Sequence, residues 1–333
     1  MAVALGAPLL FSSHVEFHMG IAIVGVLTTL ALFRQPRIWA KPWRLPAVVA
    51  CAVLLLLLHA ELNREQNRII LASRNFFGAI KVSRQEKAPG IAVHSLLHGK
   101  VCHGLQFTAG PNHRKPSAYF GEYSGLGQAI AAQRARSKQL RVGILGMGIG
   151  VISAYGQAGD YIHYYEIDPE VVELALNRDY FTYLTDSPAQ IDVTLGDARL
   201  ALERQLDEGH PGNLDLLIVD IFSGDAIAVH FLTREAFSVY LDHLRDGGIL
   251  AFHVSNAFVD LAPPIAAAAS DIGWHTCTVS SAGDLNLTSD STWIVLSRDP
   301  VQTLNDCIPA EETHSILWTD DYSSILPLLK TRQ

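Results

Sequence analysis

The sequence is short of charge and of paired metal-binding or disulfide motifs. Only 17% of its residues are charged, against about 25% in typical domains, and the net charge is −8. A surface that tracks phosphates needs an excess of Lys and Arg, so nucleic acid is excluded as an expected partner. The four cysteines form no CxxC pair and the 14 histidines no HExxH motif, so neither a zinc site nor a disulfide framework is predicted. This cysteine pattern is typical of a reducing compartment.

Apolar residues are abundant, and they are concentrated before residue 60. The two richest stretches are VEFHMGIAIVGVLTTLALF at 15–33 and LPAVVACAVLLLLL at 45–58. A helix that crosses a bilayer needs about 17–25 apolar residues, a length that the first stretch reaches and the second approaches. A pair of buried core helices is the alternative. We predict a membrane hairpin in the cell inner membrane, with membrane lipid as a partner and the larger C-terminal part in the cytoplasm.

After residue 60 the pattern changes to short strand-like runs and then to alternating strands and helices. The runs FFGAIKV, IAVHSLLH and KVCHGLQF predict a β-meander of about three strands. Strands and helices then alternate, and two further strands follow, which predicts a seven-stranded, mostly parallel sheet of the methyltransferase type. The sequence thus predicts transmembrane helices at 1–60, a small β-strand domain at 61–118 and a Rossmann-like α/β domain at 119–333.

Glycines or acidic residues mark the carboxyl ends of the first four strands of the predicted parallel sheet. In such sheets ligands bind beyond these ends, near the switch in strand order. A carboxylate after the second strand can accept hydrogen bonds from both ribose hydroxyls. The constellation therefore predicts a ligand that contains a nucleoside. Its members are Gly146, Gly148 and Gly150 after the first strand, Glu166 after the second, Asp197 after the third and Asp220 after the fourth.

The glycine spacing distinguishes between two such ligands. Dinucleotide-binding turns follow GxGxxG, whereas the turn GMGIG has a different spacing and no basic residue beside it to meet a phosphate. Asp197 can accept a hydrogen bond from an adenine amino group, a role that suits an adenosine without a pyrophosphate. We therefore favour an S-adenosyl sulfonium ligand over NAD.

Several motifs resemble those of the spermidine synthases, in particular the bacterial branch that is fused to a membrane segment. They are LGMGIG, YYEIDPEVVELA, LGDARLAL and, most specifically, LLIVDIFSGDAIAVHFLTREAF. The resemblance covers about residues 60–330, and APLLFSSHVEFH resembles the end of the fused membrane segment, so that this chain would keep only its last helices. The resemblance implies transfer of an aminopropyl group from decarboxylated S-adenosylmethionine, or other chemistry with S-adenosylmethionine itself, without a metal. An amine and a second copy of the chain are the further expected partners.

The resemblance also implies roles for individual residues. Asp220 would take a proton from the acceptor amine, because a protonated amine is not nucleophilic. Asp225 would hold the amine cation, and Tyr119 would line the acceptor channel. The residues expected to bind the donor are Gly146, Gly148, Gly150, Glu166, Asp168, Asp197 and Ala198.

Two positions depart from the family pattern, and both concern the acceptor. Ile149 stands where members with a GGGDG turn have an aspartate, and Phe120 stands where their YHE motif has a histidine. An acceptor site without these groups binds a polycation less well, so the amine differs from putrescine or is absent. The alternatives are another cleavage of the sulfonium by a lyase, cyclase or methyltransferase, with Asp220 as base, and a non-catalytic sensor of an adenosyl ligand.

Near the end of the sequence, LWTDDYSSILPLL contains the acidic pair Asp320 and Asp321. The pair can cap the N-terminus of a helix, a position that Asp favours. It can also reach toward an amine. The sequence leaves both interpretations open.

Overall fold

The computed structural model describes residues 15–34, 44–66, 68–99, 101–223, 226–284, 286–309 and 317–330. The chain divides into two compact units. The first contains the residues up to Gln85 together with Leu97–Gly99, and the second contains Glu86–Leu96 and the residues from Lys100 onward.

The first unit begins with two helices that pack against each other. Helix α1 spans Val15–Arg34 and α2 spans Arg44–Gln66. Gly25 lies at their contact, where a Cβ would come within 3.1 Å of Leu54 Cδ2. Many of the apolar side chains of both helices are exposed; examples are Val24 at 63% and Leu56 at 67%.

Within the described residues, none of the helices combines the length and the apolar character that a membrane crossing requires. The stretch at 15–33 reaches the length of a span only if the ionisable Glu16 and His18 are counted. The uninterrupted apolar run is 19–33 in α1 and 45–58 in α2, and both runs are shorter than the roughly 17–25 residues of a typical span. The predicted transmembrane hairpin therefore lacks support, and the predicted location in the inner membrane is wrong.

Four strands follow the helices, where the sequence predicts about three. Their bounds are β1 Ile69–Asn75, β2 Gly78–Ala88, β3 Ile91–His98 and β4 Val101–Phe107. β1 and β2 pair antiparallel through a tight turn in which Asn75 Oδ1 accepts hydrogen bonds from the backbone N–H groups of Phe77 and Gly78. Asn and Asp favour such turns, because the side-chain oxygen accepts the backbone N–H of the residue two positions later and so takes the place of a backbone carbonyl.

The second unit contains a seven-stranded sheet. Its strands are β5 Arg141–Leu145, β6 Tyr161–Glu166, β7 Gln190–Leu195, β8 Leu214–Val219, β11 Leu244–His253, β12 His275–Ser281 and β13 Ser291–Ser297. Two short strands, β9 Phe222–Ser223 and β10 Ala226–Ile227, pair with each other outside this sheet.

The strand order is β12-β13-β11-β8-β5-β6-β7. Neighbours from β11 to β7 are parallel, and β13 runs antiparallel to both β11 and β12. The chain moves from β5 outward to β7 and then returns to the other side of β5 with β8. The order therefore switches between β5 and β8, and the predicted Rossmann-like sheet of the methyltransferase type is confirmed.

Helices connect the parallel strands, and most begin at the polar residues that the sequence places there. They are α3 Gly125–Arg136, α4 Pro169–Leu176, α5 Tyr183–Asp186, α6 Ala198–Asp207, α7 Arg234–His243 and α8 Ala262–Asp271. Ser124, Asp168, Asp197 and Thr233 are N-caps whose side chains accept a backbone N–H of the first turn. The sequence pattern PEVVELALNRDYF predicts a helix over 169–181, whereas α4 ends at Leu176, and α8 is not predicted at all.

Both faces of the sheet are covered. On one face, Phe237 of α7 and Ile265 of α8 belong to a buried apolar cluster that includes Ile294 of β13. On the other face, Gly125 of α3 comes so close to β13 that a Cβ would lie 2.7 Å from Trp293 Cβ. Adjacent residues of a strand point to opposite faces, so Trp293 and Ile294 pack into different layers.

Cys277 and Cys307 are joined by a disulfide, contrary to the sequence-based expectation of unpaired cysteines. The backbone N–H groups and carbonyls of Thr278 and Ile308 exchange hydrogen bonds of 2.8 and 2.9 Å beside it. These bonds bring two cysteines that are 30 residues apart into contact. The pairing is non-local, and therefore the spacing of the cysteines does not reveal it.

We expect Cys307→Ser to lower the free energy of unfolding by about 3.5 kcal/mol, because the cross-link restricts the unfolded chain over a loop of 30 residues. Urea denaturation of the oxidised wild type and the variant measures the difference. A reductant should destabilise the wild type by a similar amount and leave a Cys277→Ser/Cys307→Ser double variant unchanged. Equal stability of oxidised wild type and variant would contradict the prediction.

Candidate functional site

The glycine turn after β5 allows the backbone at the end of β5 to come close to the backbone at the end of β8. Gly146, Gly148 and Gly150 have φ values of 91°, 51° and 73°, a region that side chains disfavour. A Cβ at Gly146 would collide with the carbonyl oxygen of Asp220, and a Cβ at Gly148 would lie 2.7 Å from the carbonyl oxygen of His103. Glycine is therefore required at both positions for close approach as well as for conformation.

Glu166, at the end of β6, is tied to the same turn. Its Oε2 accepts the Met147 N–H at 2.9 Å and its Oε1 accepts the Asp168 N–H at 3.0 Å. Burial raises the pKa of Glu166 above its ordinary value, and the backbone hydrogen bonds oppose that rise. A carboxylate has about four acceptor positions, so each oxygen can still accept a hydroxyl.

We expect Gly146→Ala to unfold more easily and to lose function, because the strained φ alone costs about 1–2 kcal/mol and the collision with Asp220 adds to that cost. Chemical denaturation measures the stability, and calorimetric titration with S-adenosylmethionine, the type of ligand that the sequence predicts, measures the function. The matched control is Gly273→Ala, which has a similarly positive φ of 68° and nothing within 4 Å of the added Cβ. Equal losses in the two variants would show that the approach of Asp220 is unimportant.

Asp220 follows β8, and both of its carboxylate oxygens accept hydrogen bonds. Tyr119 Oη donates to Oδ2 at 3.1 Å, and His253 Nδ1 lies 2.8 Å from Oδ1. The Asp220 and His253 side chains are 11% and 7% exposed, so a small opening remains. Burial, followed by the charge of Asp220, raises the pKa of Tyr119 well above its ordinary value, and the phenol stays a donor.

The two rings that hydrogen-bond to Asp220 also pack against each other. Tyr119 and His253 stack, with ring centroids 4.1 Å apart and planes 7° apart. Trp293 lies 4.9 Å from the His253 ring and donates its Nε1–H to the Tyr119 carbonyl at 3.1 Å. The Tyr119 and His253 rings are thus fixed by packing and not only by their bonds to Asp220.

The sequence does not single out His253, although it is the last residue of β11. The signal that could identify it is its place at the carboxyl end of a central strand, next to β8. Among the residues proposed from sequence, the structure brings together the glycine turn, Glu166, Asp220 and Tyr119.

Asp197 and Ala198 lie at the start of α6. Asp197 Oδ1 accepts the Leu200 N–H at 3.0 Å, and its Oδ2 lies 3.1 Å from Nε2 of the exposed His230. Ala198 is buried. Asp197 and His230 line a cleft of about 810 Å³, together with Leu200 and Val229. His230 is a second residue that the sequence does not reveal. An adenine amino group, the partner that the sequence predicts for Asp197, would bind a carboxylate that His230 already contacts.

Of the two remaining residues that the sequence proposes as ligand-binding, the structure describes one. Asp168 is buried, and its Oδ1 caps α4 by accepting the Glu170 N–H at 3.0 Å. Asp225 lies outside the described residues.

Ile149 and Phe120, which depart from the family pattern, are both buried in apolar surroundings. Ile149 is fully buried, and a Cβ at Gly104 would lie 2.7 Å from its Cγ1. The Phe120 ring lies 4.2 Å from that of Tyr119. A carboxylate at position 149 would be costly here because burying a charge needs a paired partner.

Asp320 has neither of the roles that the sequence left open. Its carboxylate accepts hydrogen bonds from both terminal nitrogens of Arg199 at 2.7 and 2.5 Å, and from Thr233 Oγ1 at 2.8 Å. These bonds, chiefly those from Arg199, lower the pKa of Asp320. Asp320 therefore joins the segment after residue 316 to α6 and α7.

In the parts of the chain that the structure describes, no group of His, Cys, Asp and Glu side chains is arranged to hold a metal ion. The chemistry available at the described residues is that of a carboxylate with hydroxyl, imidazole and backbone donors.

Comparison with known proteins yields structural similarities only. No protein-family model and no curated protein matches the chain. The chain is similar to a probable spermidine synthase from Corynebacterium glutamicum ATCC 13032, at 18% identity and a TM-score of 0.49, over 69% of this chain and 80% of that one. It is similar to a spermidine synthase from Thermotoga maritima at 12% identity and 0.48, over 77% and 82%. An O-methyltransferase from Bacillus cereus follows at 13% identity and 0.36, over 51% and 79%. These similarities do not determine the reaction, which is inferred below from the site residues.

Proposed function

We propose that this protein is a spermidine synthase-like transferase that moves an aminopropyl group from decarboxylated S-adenosylmethionine to an amine. The supporting observation is the Asp220 carboxylate, which stands at the switch in strand order, beside the glycine turn, and is held by Tyr119 and His253. The motif around Asp220 is also the most specific part of the sequence resemblance. In this proposal residues 61–118 form the β domain and 119–333 the catalytic domain.

Asp220 serves as the base in the proposed reaction. The acceptor ammonium gives a proton to the Asp220 carboxylate, and the freed nitrogen lone pair attacks the carbon beside the sulfonium. The C–S bond breaks with its electron pair going to sulfur, which becomes the neutral thioether of methylthioadenosine. The new secondary amine leaves as an ammonium, and the proton on Asp220 passes to solvent.

The donor-binding residues surround the proposed reaction centre from the neighbouring strand ends. Glu166 accepts the ribose hydroxyls with the acceptor positions that Met147 and Asp168 leave open. The positive-φ glycines let the backbone of the turn approach the nucleoside. Asp197 and Ala198 contact the adenine, and Asp225 holds the amine.

The burial of Ile149 and Phe120 favours a second candidate, which is sulfonium cleavage without an amine. Both positions would bear polar groups in a polyamine site, and here both pack among apolar side chains. In that reaction Asp220 removes a proton from the aminopropyl group itself, either from the second carbon from sulfur, so that a C=C bond forms, or from the ammonium, so that its nitrogen closes a ring. The C–S bond breaks with its electron pair going to sulfur, and methylthioadenosine leaves beside an alkenyl amine or a cyclic amine.

Mass spectrometry of methylthioadenosine separates the two candidates. The purified protein is incubated with decarboxylated S-adenosylmethionine, with and without putrescine and a series of monoamines, and intact S-adenosylmethionine is a parallel donor. Release of methylthioadenosine that depends on an amine supports aminopropyl transfer. Release without an amine supports the second candidate, and donor binding without release would contradict both.

A further inference from the structure

We infer that His253 is a positioning residue for Asp220, which acts by fixing the orientation of the carboxylate through Nδ1. The inference rests on the proposed function, in which Asp220 is the reacting carboxylate. It begins with the 2.8 Å contact between His253 Nδ1 and Asp220 Oδ1.

The direction of this hydrogen bond follows from the partner. An ionised carboxylate can only accept, so the proton of the imidazole lies on Nδ1 and the bond runs from His253 to Asp220. Tyr119 donates to the other oxygen at 3.1 Å. Two donors on two different oxygens set the rotation of the carboxylate about its Cβ–Cγ bond, which one donor alone would leave free.

His253 itself cannot turn without breaking its packing. Its ring contacts two others: the centroid distance and interplanar angle are 4.1 Å and 7° to Tyr119, and 4.9 Å and 34° to Trp293. Trp293 is fully buried and holds the Tyr119 backbone through its Nε1–H. The imidazole is therefore oriented before any substrate arrives.

A fixed carboxylate matters because proton transfer and attack require a narrow geometry. A displacement of about 1 Å at the reacting groups can cost about 10²-fold in rate. The side chain of Asn offers an amide N–H at the place of Nδ1, whereas Gln offers it one bond further out, near Nε2. These substitutions separate the hydrogen bond to Asp220 from the imidazole itself.

The test compares kcat and KM of wild type, His253→Asn, His253→Gln and His253→Ala, by the release of methylthioadenosine. We expect kcat of His253→Ala and His253→Gln to fall by about 10²-fold with the KM of the donor unchanged, and His253→Asn to recover most of the loss. Equal activity of all three variants, whether high or low, would overturn the inference. The control for a general loss of stability is His163→Asn, whose ring contacts Thr194 and Tyr165 instead of Asp220.

A second measurement does not depend on turnover. Nitrogen NMR of the His253 ring should show the proton on Nδ1, and Asp220→Asn should change that signal, while Asp192→Asn should not. A wild type without methylthioadenosine release but with this Asp220-dependent signal would refute the proposed function and retain the pairing. An unprotonated Nδ1, or a signal that is insensitive to Asp220→Asn, would overturn the positioning role.

Discussion

Replacement of Asp220 by Asn is expected to lower kcat for methylthioadenosine release by about 10²–10⁴-fold, the contribution that a positioned general base makes. The amide is close in shape to the carboxylate, but it cannot accept the proton of the acceptor ammonium. The backbone contact of residue 220 with Gly146 stays, so the donor should bind with nearly unchanged affinity. Steady-state kinetics and calorimetric titration with the donor measure the two quantities.

Tyr119→Phe leaves the Asp220 carboxylate in place and is expected to have a smaller effect than Asp220→Asn. It removes one hydrogen bond to the carboxylate and keeps the ring that stacks on His253. We expect a loss of about tenfold, which corresponds to about 1.4 kcal/mol for a hydrogen bond to a charged group. Full activity of Asp220→Asn would show that the base is another residue. A loss of donor affinity in this variant would show that Asp220 binds the donor instead of acting as the base.

The largest effect on stability is expected for Asp160→Asn, because it breaks a buried ion pair that holds α3 to the start of β5. Asp160 receives two hydrogen bonds from Arg134 at 2.8 and 2.5 Å and one each from the backbone N–H groups of Leu140 and Gln157. Removal of one partner from a buried pair leaves the other uncompensated and typically costs about 3–5 kcal/mol. Urea unfolding at neutral pH measures the loss.

The Asp160 contribution also has a defined pH dependence. Burial alone would raise the pKa of Asp160, but the hydrogen bonds from Arg134, Leu140 and Gln157 outweigh it and the folded pKa is lowered. A carboxyl group whose pKa is lower in the folded than in the unfolded protein adds its full contribution to the free energy of unfolding above the unfolded-state pKa, about 3.9. That contribution is lost as the pH falls through the pKa of the folded state. The stability gap between wild type and Asp160→Asn should therefore be constant from pH 7 to about 5 and shrink below about pH 4.

Asp192→Asn is the matched control for Asp160→Asn. Asp192 is exposed on β7 and bonds only the Tyr161 hydroxyl among the contacts described for it, so a change within about 0.5 kcal/mol is expected. A gap between wild type and Asp160→Asn that widens in acid would contradict the assigned direction of the pKa shift.

Most of the sheet could be predicted from sequence because its signals are local. Runs such as LDLLIV, which forms β8 and is buried throughout, are bounded by turn residues. The helix caps Ser124 and Asp197 lie one residue before the helices that they begin. The prediction failed for the membrane hairpin, because it counted the polar Glu16 and His18 into the first apolar run, and no helix among the described residues is long and apolar enough for a span.

The candidate site could be predicted only in part. Asp220 and Glu166 were found because a parallel sheet brings the ends of its strands to one edge. Tyr119 lies 101 residues from Asp220 in the chain, and its hydrogen bond depends on how the loop before α3 packs on β13. Asp320 looked like a cap or an amine ligand until Arg199, 121 residues away, accounted for it.

The sequence by itself determined the succession of the seven strands of the main sheet along the chain and which polar residues end them, since periodicity and turn preferences act over a few residues. Only the tertiary structure decided which side chains meet at those ends. It paired Asp220 with Tyr119 and His253, Asp197 with His230, and Cys277 with Cys307. Such contacts join residues far apart in the chain, and they depend on the packing of whole elements, which no local pattern encodes.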